Sequence, residues 1–141
     1  MQHILLATDG SKSAGRATSV AANLSRAMGS RLSILTVGES LSEDVKQFAR
    51  AEGNVADAIE GFSDWLLRQA RTVAAKAGVS VIHTQSGWGD PAEVIIEFAQ
   101  REKVDAIVVG RRGRGRLTGL LMGSVSQKLV SLAPCTVVVV P

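Results

Sequence analysis

The strongest chemical signal in the chain is a glycine spacing: Gly110-Arg111-Arg112-Gly113, nine further residues, then Gly123-Ser124. Glycine lets a backbone curl and approach a ligand closely, and the free amides of a following helix N-terminus, aligned with the helix dipole, point at anionic oxygens. The stretch therefore has the anatomy of a phosphate site. Four arginines, Arg111, Arg112, Arg114 and Arg116, lie within it. The whole chain carries 16 Lys plus Arg against 13 Asp plus Glu, a formal +3. These four arginines exceed that surplus, so the remainder is slightly acidic and the positive charge is local. Turn glycines in a solvated arginine loop would be the plainer reading. However, a loop of about thirteen residues without secondary structure is uncommon in a compact domain and is often functional.

Other chemistries find less support. A P-loop needs Gly-Lys followed by Ser or Thr, and the first strand is followed by DGSKSAG rather than a dinucleotide-binding G-x-G-x-x-G. There is no G-x-S-x-G nucleophile elbow. Asp9 could serve as a general base, but a carboxylate at a strand end is as often a cap for the following helix. His3 has no visible partner and His83 falls in a polar strand at a surface or edge, so neither is assigned catalysis. Two histidines and a single cysteine exclude a zinc-finger cluster and an intramolecular disulfide. Cys135 reads as an inert buried thiol. Trp88, between Gly87 and Gly89, could stack on a base, but covering the sheet edge is the plainer role.

The elements that must position these residues are legible from periodicity. HILLAT is a compact apolar run stopped at Asp9-Gly10-Ser11, as in a buried strand followed by a turn. From Ser13, the residues Ala14, Ala17, Val20, Ala21, Leu24 and Met28 recur at helical spacing, closed by Gly29. Residues 31–37 form a second strand, and Gly38 to Glu52 is a polar connection without strong periodicity. Val55, Ile59, Phe62, Leu66, Val73 and Ala77 mark a second helix ending at Gly78, followed by a third strand, VSVIHTQ, from Val79. Asp90-Pro91-Ala92-Glu93 is a helix-start box, and Val94, Ile95, Phe98 and Ala99 give that helix its apolar face. VDAIVVG from Val104 and TVVVV at 136–140 supply the fourth and fifth strands. Ser124 and Gln127 form a second capping box ahead of a short helix that Pro134 stops. Strands and helices alternate, which predicts one α/β domain over 1–141 with a parallel, doubly wound sheet covered by helices on both faces. Ligands of such sheets bind beyond the carboxyl ends of the strands.

The motif G-x2-G-x9-G-[S/T], matched without a gap by Gly110, Gly113, Gly123 and Ser124, resembles that of the universal stress protein family, in its ATP-binding branch. The resemblance extends through GSVSQKLVSLAPCTVVVVP, ILLATDGS and GDPAEVII, and so spans nearly the whole chain. It implies an adenine nucleotide alpha hydrolase-like fold with strand order 3-2-1-4-5 and ATP across the carboxyl ends of the first and fourth strands. Gly113, Gly123 and Ser124 would bind phosphates, with Arg111, Val125 and Ser126 beside them, and Gly110 would allow the turn close to the nucleotide. Asp9, preceded by Ala7 and Thr8, would lie near the ribose and a nucleotide-bound magnesium. Val37 would meet adenine through its backbone. A Ser124 hydroxyl used as a helix cap would be less available to phosphate, so either its amide makes the contact or the cap rearranges. The sequence departs from the common pattern at Arg112, Arg116 and Thr118, which leaves the glycine framework intact.

The function expected is that of an ATP-binding regulatory protein in stress response. The alternatives are a slow magnesium-dependent ATPase, for which no water-positioning residue is identifiable, and a nucleic-acid-binding module using the arginine loop. Two Trp, three Phe and no Tyr, none interleaved with the basic run, offer no stacking platform for single strands. The family order places the valine-rich last strand at an edge, which invites a homodimer through Val137, Val138, Val139 and Val140. No apolar run approaches the ~20 residues of a membrane span and MQHILLATDG lacks a charged n-region, so the expected location is the cytoplasm.

Overall fold

The computed structural model describes residues 1–38, 47, 50–51, 55–113 and 122–141, with side chains left out at 55 and 56. Arg114, Arg116, Thr118 and most of the polar connection after Gly38 lie outside the described residues. Five strands, β1 (His3–Ala7), β2 (Arg31–Gly38), β3 (Ile82–Trp88), β4 (Ala106–Gly110) and β5 (Thr136–Val140), form one sheet in the order β3-β2-β1-β4-β5. Every neighbouring pair is parallel, with Leu6 opposite Ile34 on one side of β1 and Val108 on the other. Among the described residues four helices of nine residues or more accompany them: α1 (Lys12–Met28), α2 (Val55–Lys76), α3 (Pro91–Arg101) and α4 (Ser124–Leu132).

The central strands β1 and β4 are buried at every position, as their unbroken apolar runs require. Alternate residues serve opposite layers. Ile4, Leu6, Leu32, Ile34 and Val108 pack against the alanines of α1 and against Leu67, Ala70 and Ala74 of α2. On the other face, Leu5, Leu35, Ile107 and Val109 pack against Ile95, Phe98 and Ala99 of α3 and Leu129 of α4. Both faces are thus covered. Complete burial of each such aliphatic side chain contributes about 1.5–3 kcal/mol.

α1 starts at Ser11, whose side chain accepts from the Ala14 amide at 3.3 Å, and ends at Gly29, whose φ of 64° is the left-handed conformation that closes a helix cheaply. α3 starts as the sequence requires: the Asp90 carboxylate accepts from the Glu93 amide at 3.1 Å, with Pro91 in the first turn.

Two expectations need correction. The third strand begins at Ile82, not Val79, and runs on to Trp88. Val79 is buried but belongs to the turn that ends α2, its amide bonded to the Ala74 carbonyl at 3.2 Å. An edge strand with one solvated side tolerates the polar residues His83 to Ser86, so apolarity misplaced its start. The stripe of α2 also divides. Val73 is exposed, the C-terminal half faces the sheet through Leu67, Ala70 and Ala74, and Ala58, Phe62 and Leu66 form a separate apolar cluster beyond the strand ends.

Candidate functional site

That separate cluster forms one wall of a cleft of about 410 Å³ at the carboxyl ends of β1, β2 and β4, a size suited to a small organic ligand. The cleft has two unlike ends. One is apolar, walled by Val37 and Gly38 at the end of β2, by Ile59, Phe62 and Leu66 of α2, and by Trp88. The other is polar and built from glycine and main chain: Thr8, Asp9, Gly110, Arg112 and Gly113 on one side, and Gly123, Ser124, Val125 and Ser126 at the start of α4 on the other. Of the residues predicted from sequence, only Arg111 is absent from the lining. Ala7 and Val37 both contribute to it.

The glycines are required by close approach rather than by unusual dihedral angles. A β-carbon on Gly110 would collide with the Ser13 hydroxyl and lie 2.8 Å from the Ala14 amide nitrogen, because the first turn of α1 rests directly on the end of β4. One on Gly113 would stand 2.5 Å from Asp9 Oδ2. Gly113 thus leaves room for the carboxylate between the two loops. Asp9 is itself positioned by the turn that follows β1, where its Oδ1 accepts from the Ser11 amide at 2.9 Å. The Ser13 hydroxyl donates to the Arg112 carbonyl, which ties α1 to the glycine loop. Sequence reasoning missed Ser11 and Ser13. Ser11 had a usable signal, a capping residue just ahead of an apolar stripe.

Arg111 works through its main chain. Its amide donates to the Val140 carbonyl at 2.6 Å, and its carbonyl accepts from the Gly123 amide at 2.8 Å and from the Ser126 hydroxyl at 2.7 Å. Both ends of the glycine loop therefore meet at one residue. The Arg111 Nε is buried without a hydrogen-bond partner among the described residues. Its neighbour Arg112 brings the cationic residue to the cleft lining.

The second capping box is not formed. Gly123 occupies the cap position with no side-chain cap bond, and Ser124 is the first helical residue, exposed at the cleft. A glycine cap leaves the first amides of α4 without a side-chain cap among the described residues, so the conflict foreseen for Ser124 does not arise: its hydroxyl is not committed to a cap.

The remaining polar residues lie apart from the cleft. His3 is not unpartnered. It is buried at the amino end of β1, with Nδ1 3.1 Å from the Glu102 carbonyl and Nε2 2.7 Å from the Ser33 hydroxyl. Because Nδ1 can only donate to a carbonyl, Nε2 accepts from Ser33 in the neutral ring. Burial, ahead of the nearby Arg31 charge, pushes the His3 pKa below its ordinary value. The Asp105 carboxylate accepts from the Gln2 and His3 amides at 2.8 and 3.0 Å, which holds its pKa down. Cys135 is only half-buried, yet desolvation and the Asp105 charge raise its pKa, which keeps the thiol protonated. His83 is exposed on β3, as expected. Among the described residues no three His, Cys, Asp or Glu side chains gather to hold a metal, and no helix is long and apolar enough to cross a membrane.

A family model described as the universal stress protein family matches residues 1–141. The chain belongs to the universal stress protein family. A universal stress protein of Thermus aquaticus is 37% identical over 147 residues, covering 97% of this chain and 96% of the relative. Among solved structures, the universal stress protein UspA from Lactobacillus plantarum shares the fold with a TM-score of 0.81 at 24% identity, covering 99% of this chain and 97% of that one. A universal stress protein in complex with cAMP aligns with a TM-score of 0.74 at 28% identity, covering 99% and 97%. The strand order implied by the sequence resemblance is the order found in this member of the family.

Proposed function

We propose that this universal stress protein is a regulatory ATP-binding protein, a cytoplasmic homodimer whose nucleotide state changes what it binds. The observation that carries the reading is the division of the cleft. One end is a glycine framework whose missing side chains leave room beside Asp9, the other an apolar pocket of Val37, Ile59, Phe62 and Leu66. A nucleotide has the same division between phosphates and base. The amides of Gly113, Ser124 and Val125 would hold phosphates at the positive end of α4, with Gly123 leaving space beside them, Arg112 would add charge, and the backbone at Val37 would meet adenine. The relative solved with cAMP supports an adenine nucleotide as the ligand class.

Magnesium fits here only as a passenger of the nucleotide. Among the described residues Asp9 is the one acidic residue lining the cleft, and magnesium commonly takes one or two carboxylates together with substrate phosphates. The dimer reading rests on β5, an edge strand whose Val137, Val138 and Val139 are half-buried.

Titration calorimetry with magnesium-ATP, together with thermal unfolding in its presence, tests the proposal, since a ligand bound only by the native state raises the midpoint. Neither heat nor stabilisation at millimolar magnesium-ATP would remove it.

A further inference from the structure

Trp88 is the most conspicuous residue of the cleft that the glycine framework does not explain. It is 60% exposed, an unusual state for an indole with a buried sheet close by. It is also set with unusual care. The benzo edge of its ring lies on Gly38, where a β-carbon would stand 2.8 and 2.9 Å from two ring carbons. On one side, Gly87 packs so closely on Val94 that a β-carbon there would lie 2.9 Å from a methyl group. On the other, Gly89 takes a φ of 132°, a conformation that side-chain-bearing residues rarely adopt, and donates its amide to the Gly38 carbonyl at 3.0 Å. Gly38 thus seats the indole, while Gly87 and Gly89 shape the backbone on either side of it. The sequence favoured a role in covering the sheet edge, but a ring that covered an edge would be buried by doing so.

We propose that Trp88 is the base-contacting residue of the cleft, a planar surface at its apolar mouth against which the heterocycle of a bound nucleotide stacks. This rests on the nucleotide reading above and adds to it the feature that selects a planar base. Ile59, Phe62 and Leu66 supply apolar surface of no particular shape, whereas the indole supplies a flat polarisable face held in place before the ligand arrives. Phosphate contacts at Gly113 and Ser124 do not distinguish a nucleotide from any other polyphosphate, and a stacking surface does.

The chain has two tryptophans, and Trp65 stacks on Phe62 at 6.1 Å between ring centroids. Trp65→Phe therefore leaves Trp88 as the sole indole reporter. In that variant, saturating magnesium-ATP should change the emission of Trp88. By calorimetry, Trp88→Ala should raise the Kd for ATP about 5- to 150-fold, the range observed when a base loses its aromatic platform. Trp88→Phe, which keeps a flat ring, should recover most of the affinity. Unchanged emission at saturating ATP, or a Kd in Trp88→Ala within about twofold of wild type, overturns the proposal while leaving ATP binding intact. Failure of the wild-type protein to bind ATP removes both readings together.

Discussion

At the amino ends of the strands, His3, Ser33, Asp105 and the Glu102 carbonyl are joined by hydrogen bonds, and the His3 and Ser33 side chains are buried. At the carboxyl ends of the same strands, Asp9 and the main chain of the glycine loop surround open space. Both ends are polar and both contain a carboxylate that accepts main-chain amides. The difference lies in side-chain volume. Where histidine and serine fill the gap, the polar groups become part of the core, and where glycine stands instead, a ligand can take their place. A polar constellation is therefore a candidate site only if something has been left out of it.

The sharpest way to break this contrast is to fill the open end. Gly110→Val places side-chain atoms in the first turn of α1. It should cost about 1–3 kcal/mol of stability by overpacking and abolish ATP binding, checked by urea denaturation and calorimetry. Emptying the closed end comes next. His3→Ala leaves the Ser33 hydroxyl and the Glu102 carbonyl without their partner, and should cost about 1–3 kcal/mol while the ATP Kd stays within twofold of wild type. Loss of nucleotide affinity in that variant would mean the two ends are coupled.

Gly113→Ala should separate binding from stability. The added methyl meets the far end of the Asp9 side chain, which can move, so the unliganded protein should lose no more than about 0.5 kcal/mol while ATP binds about tenfold more weakly. The smallest effect concerns pH. The His3 pKa is lowered in the folded state, so the unfolded chain takes up the proton first, and stability falls as pH drops below the ordinary value of 6.5. The slope stays under about 1.4 kcal/mol per pH unit, the limit for one proton. Melting temperatures between pH 8 and 5 should show this slope in the wild type and a flatter one in His3→Gln. Equal slopes would place the titration elsewhere. The depressed Asp105 pKa acts at lower pH in the same direction, because its stabilisation is lost as the carboxylate protonates.

The same contrast explains which parts were legible in the sequence. Gly110, Gly113 and Gly123 form a spacing within one loop, and Asp9 follows a strand whose apolar run is unmistakable, so local reading was enough. His3 meets Ser33 across 30 residues and Glu102 across 99, and only the sheet order brings them together. Ser126, rather than Ser124, ties the loop for a related reason, since its hydroxyl reaches back to Arg111 on another element. The apolar end of the cleft was harder still. Ile59, Phe62 and Leu66 carry the same helical period as residues that face the core, and periodicity does not say where along a helix the sheet stops.

The ties at Arg111 bear on how such a protein can change over time. Its carbonyl accepts from the Gly123 amide, so the chain leaves at Arg111 and returns at Gly123 through two residues bonded to each other, the first of them bonded also to Val140 of β5. The entropic cost of closing a loop grows only with the logarithm of its length. Changes of length between those two residues therefore cost little so long as they stay bonded. Natural variation can accordingly retune the charge presented to a ligand while the sheet that carries the loop stays unaltered.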